Sequence, residues 1–526
     1  MELIEKTIGQ YLEEEARNKE NHMAIEENAW SCTYAQLNQI AETLAFEMES
    51  LDIKRGTHVG IWSENSAAWV FVFLALMKRG AIPVLLNTCY KVEEIRKVLD
   101  YSDVEILYYG TGYKDCVYAD MIADLHKKLP RIRYFISMNK MNDRAWIENH
   151  ELGSCSSFSA MRELVNPGDT ACIIFTSGTT SMPKGVMLSH YSIVNNARAV
   201  AMAMHWNATD KMCITVPLFH CFGITAGIVA CLVSGMCMHI IPYFHTLHVW
   251  EAIENSHCSV LNGVPSMFLA LIRKQEHKSR KGKDLKSGII AGSAVTSLEY
   301  KEICSRFSSM HLQPAYGQTE SAPCISIADW EDSIENKATS EGEVLEHIQI
   351  RINSLDYEEN GQSGVCGEIQ VRGYNVMQGY YKKPEENKKV FTEDGWLKTG
   401  DIGYLDECGR LRITGRLKEM IIRAGENIAP QEIEEVIRLF DGVDGVKVIG
   451  IPAEVLQEEI VACIVPKQGY PISKEALQAF VRSRLADYKV PAHVLQFTEL
   501  PMNVSGKIDI KQLKKLVQER ICMGKK

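Results

Sequence analysis

Short apolar runs along the chain alternate with longer stretches whose apolar residues recur every three or four positions. HVGIW (58–62) precedes a helical pattern around Ala67 to Lys78, AIPVLL (81–86) precedes one around Val92 to Leu99, and VEILYY (104–109) follows. The alternation returns at CIIF, MCITV, MCMHII, CSVLNG, GIIAG and MHLQPAY, each near a helical partner. Strands alternating with helices predict an α/β fold, with parallel sheets carrying helices on their faces. After about residue 322 the strands become shorter and glycine-punctuated (HIQIRI, GEIQVRG, GRLRITG), predicting a small antiparallel sheet or barrel over about 322–417. From residue 418 the order changes again: EMIIRAGENIAP, the helix QEIEEVIRLF, the strands VKVIGIP and IVACIVP, and the helix KEALQAFVRSRLAD make a compact α+β unit. The expected division is therefore 1–417 and 418–526, with the boundary near Arg416 to Lys418. No internal repeat stands out.

One stretch tests whether the chain is soluble. Cys221 to Phe244 runs 24 residues without Asp, Glu, Lys or Arg, long enough to cross a bilayer. Gly235 and Pro242 divide it into a buried helix over about 222–233 and a strand, MCMHIIPY, which reads against a membrane span. The first twenty residues are acidic and amphipathic with no apolar core, so no signal peptide is expected. A net charge of −10 provides no general attraction to nucleic acid or to an acidic membrane. The sixteen cysteines include no C-x-x-C pair and no zinc spacing, and they read as free thiols in a reducing, cytoplasmic compartment.

The densest chemistry lies in FTSGTTSMPKG (175–185), directly after CIIF. Backbone amides freed by Gly178 and Gly185, with the hydroxyls of Thr176, Ser177, Thr179, Thr180 and Ser181, suit anionic oxygens, and Lys184 adds a positive charge. That composition makes a phosphate cradle. It is not a Walker loop, because the lysine precedes Gly185 and no Ser or Thr follows it directly. Ser181 to Lys184 also spells the S-x-x-K of penicillin-recognising acylases, with Lys398-Thr399-Gly400 as K-T-G, but no S-D-N follows and Pro183 fits poorly between nucleophile and base. A solvated Ser/Thr/Gly turn is the plain alternative for the loop alone.

The rest of the chain bears on that choice. FTSGTTSMPKGV (175–186), PLFHCFG (217–223), AYGQTE (315–320), TGD (399–401), GRLKEMI (415–421), GENIAP (425–430) and NVSGK (503–507) occur in this order, and together the chain resembles the adenylate-forming superfamily of acyl-CoA ligases, adenylation domains and luciferases. The resemblance implies a large N-terminal domain and a small mobile C-terminal one. It also implies attack of a carboxylate on the ATP α-phosphate to give acyl-AMP and pyrophosphate, followed by transfer to coenzyme A. The implied catalytic residues are Lys507, Thr319, Glu320 and Lys184, with Glu320 as a Mg²⁺ ligand. Thr176, Ser177, Gly178, Thr179, Thr180, Gly292, Ser293, Tyr316, Gly317, Asp401 and Arg416 would join them around the nucleotide. Lys418 falls at the hinge, and Gly425, Glu426 and Asn427 would line the pantetheine tunnel. Two departures stand out, Ala424 where relatives often have Gly, and Met502-Asn503 where they carry more hydroxyls.

The same resemblance bears on the acid. Amino-acid-activating relatives carry an Asp near the PLFHCFG block, and here no Asp follows it before Asp284, which argues against an amino acid substrate. His220, Phe222, Gly223, Ile224, Gly227, Ser293, Ala294 and Gly317 are the expected acyl pocket, and Gly317 replaces the Trp that blocks the pocket in acetate enzymes. A medium-length, branched or ring-bearing acid is expected. The alternative is a free-standing adenylation enzyme that loads a carrier protein. Beyond ATP, Mg²⁺, CoA and the acid, no nucleic acid or stable membrane span is expected, and the chain reads as a monomer or homodimer.

Overall fold

The computed structural model describes residues 1–27, 30–114, 116–151, 165–176, 183–274, 279–354, 365–423, 426–453, 457–503 and 506–523. They fall into two compact units, Met1–Gln349 with Val371–Leu397, and Ile350–Gln370 with Lys398–Lys526.

The first unit holds two large sheets. In the seven-stranded sheet the order is Gly379–Tyr380, Lys184–Ser189, Thr170–Thr176, Ile82–Leu85, His58–Trp62, Ile106–Tyr109 and Tyr134–Ser137. The five from Thr170–Thr176 onward run parallel, and the other two add antiparallel at one edge. The nine-stranded sheet has the same mixed character. Its centre, from His311–Gly317 through Ser287–Ala291, Val260–Leu261, Lys211–Ile214 and Cys237–Ile240 to Met23–Glu27, is parallel, and its edges are antiparallel. The runs that alternation marks as strands are buried strands because helices cover both faces of parallel sheets.

Helix Ala67–Arg79 illustrates how tightly these layers pack. The Ser66 side chain caps it by accepting from Trp69 N–H, and all of its residues are buried. The ammonium of its Lys78 is neutralised inside the protein by Glu13 at 2.7 Å and Glu42 at 3.3 Å. A buried charge persists only when paired in this way.

The uncharged stretch after Cys221 folds as its punctuation predicts. Cys221–Gly223, a π turn Ile224–Val229 and Ala230–Ser234 follow one another as helix, Gly235 stops the helix at φ +72°, and Cys237–Ile240 enters the middle of the nine-stranded sheet. Tyr34 Oη lies within hydrogen-bonding distance of the carbonyls of Cys231 (2.9 Å) and Met236 (2.7 Å), which share its one proton and seal that end. Among the described residues no helix is long and apolar enough to cross a membrane.

The second unit takes in most of a four-stranded sheet, Ile348–Ser354, Gly367–Gly373, Leu397–Leu405 and Leu411–Arg416, the last two antiparallel. It also contains a five-stranded sheet in the order Glu426–Ile428, Ile421–Arg423, Gln457–Pro466 and Val443–Ala453, with His493–Gln496 parallel to Gln457–Pro466. Alternation along Gln457–Pro466 is strict. Ile460, Ala462 and Ile464 pack with Ile433, Ile437, Leu477 and Val481 of helices Pro430–Arg438 and Lys474–Arg482, whereas Val461 and Cys463 pack with Leu513 and Val517 of helix Ile510–Met523. Period-two burial on both faces is what a strand between two helix layers requires.

A buried histidine ties the chain's first helix to the fold. Ile8 N–H donates to His190 Nδ1 at 3.3 Å, and burial lowers the His190 pKa to about 4. Protonation would place a hydrogen against the Ile8 N–H and a positive charge at the start of helix His190–Ala203, where the dipole opposes it. Because the folded pKa lies below the unfolded value of about 6.5, this stabilisation is fully present above pH 6.5 and is lost as pH falls through 4. Unfolding of wild type and His190→Gln between pH 7 and 4 should differ in slope, by about 3 kcal/mol over the range. Parallel profiles would show that His190 does not titrate there.

Candidate active site

The cradle sits on a β-hairpin. Thr170–Thr176 leads into the loop and Lys184–Ser189 returns antiparallel to it, so that Lys184 lies opposite Thr176 and the Thr176 hydroxyl donates to the Lys184 carbonyl at 3.4 Å. Lys184 thus opens a strand and is anchored by the sheet. Ser177, Gly178, Thr179, Thr180 and Ser181 lie outside the described residues.

The Lys184 side chain meets residues far along the chain. Its Nζ is 4.6 Å from the ring centroid of Tyr380 and 2.6 Å from Glu386 Oε2. Tyr380 Oη in turn donates to Glu320 Oε1 at 2.8 Å. Burial and the Glu320 carboxylate push the Tyr380 hydroxyl well above its usual pKa, so it remains a donor. Local structure explains the placement. Gly379–Tyr380 adds to the edge of Lys184–Ser189, with Val186 opposite Tyr380, and Tyr381 N–H donates to the Gly185 carbonyl at 2.8 Å. Neither Tyr380 nor Glu386 belongs to the motifs read from the sequence. Their segment, GYYKKPEE, carries no recognisable periodicity and meets Lys184 only through tertiary pairing.

Thr319 and Glu320 occupy a tight turn, Thr319–Ser321, immediately beyond strand His311–Gly317. The buried Ser321 hydroxyl donates within this turn and accepts from Gln318 N–H at 3.1 Å, while Met377 N–H holds the Glu320 carbonyl at 2.9 Å. The Cys221 thiol approaches Thr319 Oγ1 at 3.6 Å, bringing the PLFHCFG block to the AYGQTE block. Tyr316 is half-buried at the end of its strand, and Gly292, Ser293 and Ala294 follow the adjacent parallel strand as exposed positions. Both groups therefore sit at the carboxyl ends of neighbouring parallel strands, where α/β sheets bind ligands.

The structure corrects the reason for glycine at 317. A Cβ there would overlap the carbonyl oxygen of Pro323 and press on Cys324 Cα, so the space beside Gly317 is main chain and not open channel. Gly223 is constrained in the same way by the Pro217 carbonyl. Gly227 differs: it is buried in the π turn, yet a Cβ there would touch only the Phe222 carbonyl oxygen, at 3.8 Å. Ile224 is fully buried, Phe222 packs against Val216, Val264 and Met267, and His220 is half-buried just before the helix with its ring against Phe219.

In the second unit Asp401 and Arg416 are cross-strand neighbours, Arg416 Nε lying 2.7 Å from the buried Asp401 carboxylate. Lys418 is exposed in the turn after Arg416, which begins with Leu417 N–H on the Gly400 carbonyl at 2.9 Å. Beyond it, Glu419 reaches Lys447 at 3.6 Å, and Lys447 pairs with Glu434 at 3.0 Å. Lys507 is exposed on a hairpin turn closed by Asn503 N–H to the Lys507 carbonyl at 2.7 Å and by Lys507 N–H to Asn503 Oδ1 at 3.0 Å. Gly425 lies outside the described residues, and Glu426 and Asn427 belong to the strand paired with Ile421–Arg423.

Residues 12–381 match the family model described as AMP-binding enzyme, and residues 432–507 the one described as AMP-binding enzyme C-terminal domain. The putative acyl-CoA synthetase YngI of Bacillus subtilis (strain 168) is 36% identical, over 96% of this chain and 96% of that protein. The mitochondrial medium-chain acyl-CoA ligase ACSF2 of Macaca fascicularis is 30% identical, over 99% of this chain and 88% of that protein. The crystal structure of ATP-bound MatB from Rhodopseudomonas palustris shares the fold, with a TM-score of 0.88 over 98% of this chain and 99% of that one at 24% identity.

The two glycines should respond oppositely to one methyl group. Gly317→Ala must displace main chain beside the Thr319–Glu320 turn and should destabilise the first unit by about 1–3 kcal/mol. Gly227→Ala has room and gains helix propensity, so it should be neutral or stabilising by up to about 1 kcal/mol. Denaturant unfolding of both variants checks this, and equal effects would mean the Pro323 contact imposes nothing.

Proposed function

Because this chain belongs to the AMP-binding enzyme family and is an ATP-dependent acyl-CoA ligase, we propose that it joins a medium-length, branched or ring-bearing carboxylic acid to coenzyme A through an acyl-AMP intermediate. The observation that carries the site assignment is the Lys184–Tyr380–Glu320 chain. It holds a cation and a carboxylate on one buried phenol at the ends of two strands, beside the hydroxyl of Thr319.

A carboxylate is a poor electrophile, and its attack on a triphosphate brings two anions together. Lys184 would draw charge toward the departing pyrophosphate, and Thr319 would donate to the α-phosphate oxygen as the bond to pyrophosphate breaks. Glu320 offers a hard oxygen of the kind Mg²⁺ prefers, and such ions usually take one or two carboxylates together with phosphates and water. Among the described residues no group of three His, Cys, Asp or Glu side chains is placed to hold a metal by itself. Bound there, Mg²⁺ would neutralise phosphate charge. Asp401 and Arg416 would hold the ribose and nucleotide, and Tyr316 would stack on the base, with Gly292, Ser293 and Gly317 around it.

Lys507, exposed on its hairpin turn, would bridge the incoming carboxylate and the α-phosphate. It must then withdraw for the thiol of CoA to attack the acyl carbonyl and release AMP. The small domain, taken as 418–526, would turn about Lys418, with Gly425, Glu426 and Asn427 facing the pantetheine arm. The acyl chain would run past His220 and Phe222 toward Gly227, with Ser293 and Ala294 near its carboxylate. The medium-chain activity of the ACSF2 relatives supports an acid of this size. Abundant free cysteines among the described residues support a reducing, cytoplasmic location. A monomer or homodimer without nucleic acid completes the reading.

Pyrophosphate release over a panel of carboxylic acids tests the reaction: adenylation should proceed without CoA for one turnover and become catalytic with it. Lys507→Ala should abolish acyl-AMP formation but leave thioester formation from supplied acyl-AMP largely intact. Equal loss in both half-reactions would sink the two-pose account. Gly227→Val should shorten the accepted acid. Each methylene that can no longer be buried forfeits about 0.8 kcal/mol, roughly fourfold in kcat/KM, so losing two or three should lower kcat/KM for the longest acids by about fifteenfold to sixtyfold. An unchanged profile for straight-chain acids of two to ten carbons would remove Gly227 from the pocket.

A further inference from the structure

The cradle lysine already holds an anion. Lys184 Nζ lies 2.6 Å from Glu386 Oε2, and Lys389 approaches Glu386 Oε1 at 3.1 Å. The Lys184 and Glu386 side chains are 17% and 31% exposed, so the pair stands at the rim of the site and not in open solvent. Lys184 and Lys389 hold the Glu386 carboxyl down to about 2, which keeps it charged at any working pH. Its position is built in: Asn387 accepts from Tyr380 N–H at 2.7 Å and donates to the Tyr380 carbonyl at 3.2 Å, fastening helix Pro384–Val390 to the strand that carries Tyr380. A phosphate oxygen that binds Lys184 must therefore compete with a carboxylate delivered by the same chain.

That competition has a use. A lysine with no rival would hold ATP, the transition state and pyrophosphate alike, and such uniform binding lowers KM without raising kcat. An intramolecular carboxylate acts at high effective concentration and subtracts from every state that depends on Lys184, including the product that must leave. Resting on the ligase reading, we propose that Glu386 is a positioning residue that holds Lys184 as an internal counter-ion, yields it to the phosphates of ATP, and retakes it as pyrophosphate departs. Tyr380 would steady the exchange, its ring face meeting the ammonium while its hydroxyl holds Glu320.

The test is the affinity for pyrophosphate with Mg²⁺, read by calorimetry and as product inhibition, in wild type, Glu386→Gln, Glu386→Asp, Lys184→Ala and the Lys184→Ala/Glu386→Gln pair. Glu386→Gln should tighten pyrophosphate about threefold to tenfold, the scale of a partly exposed charge-assisted pair. KM for ATP should fall in step, and KM for the acid should stay unchanged. Glu386→Asp, which keeps the charge, should return affinity toward wild type, an outcome that mere structural damage would not produce. With Lys184 replaced, the tightening should largely vanish; tightening of equal size would mean simple repulsion by Glu386 and would overturn the exchange. If wild type binds no pyrophosphate, or Lys184→Ala leaves binding intact, the ligase site itself is misassigned and the proposal falls with it. If both behave as expected but Glu386→Gln binds no more tightly, the role of Glu386 alone is wrong.

Discussion

The candidate site depends on keeping a lysine and a carboxylate close without letting them neutralise each other. Direct contact between Lys184 and Glu320 would occupy the carboxylate offered to an ion and press a second anion on a lysine that already meets Glu386. Tyr380 stands between them, offering its ring face to the ammonium and its hydroxyl to the carboxylate. A buried phenol is suited to this because one rigid side chain has an electron-rich face and a polar tip. The register that sets Val186 opposite Tyr380 is thus as much a part of the site as the residues of the cradle.

The strands and helices were legible because burial on both faces demands continuous apolar runs, and HVGIW, CIIF and MCMHII have them. The uncharged stretch from Cys221 was resolved by its punctuation, Gly235 and Pro242, and at Gly235 a positive φ ends the helix before it grows long enough to suggest a membrane. The cradle was legible as chemistry, but its mounting was not. Periodicity cannot show that the chain returns antiparallel after Thr176, since a hairpin and a strand-to-helix turn use the same small residues. Tyr380 and Glu386 escaped for a related reason. A two-residue strand has no pattern of its own, and its partner lies some two hundred positions earlier. Gly317 shows the opposite limit. A glycine in a motif does not reveal whether its missing side chain makes room for a ligand or for the Pro323 carbonyl.

In the second unit the contacts flank Lys418 on both sides. Arg416 is fastened to the buried Asp401 across adjacent strands, and Glu419 is tied through Lys447 to Glu434. Only a short exposed turn lies between these anchors. The rotation that the proposed two-pose mechanism asks of Lys418 would concentrate in few backbone torsions.

Gly227 and Glu386 belong to separate parts of the first unit: one lies in a π turn flanked by helix, the other on a seven-residue helix fastened to a sheet edge. Substitutions in one leave the covalent and hydrogen-bonded surroundings of the other untouched. On the reading proposed above, the choice of acid and the grip on the nucleotide would be separately heritable traits, so that a lineage could change its diet without relearning how to handle its fuel.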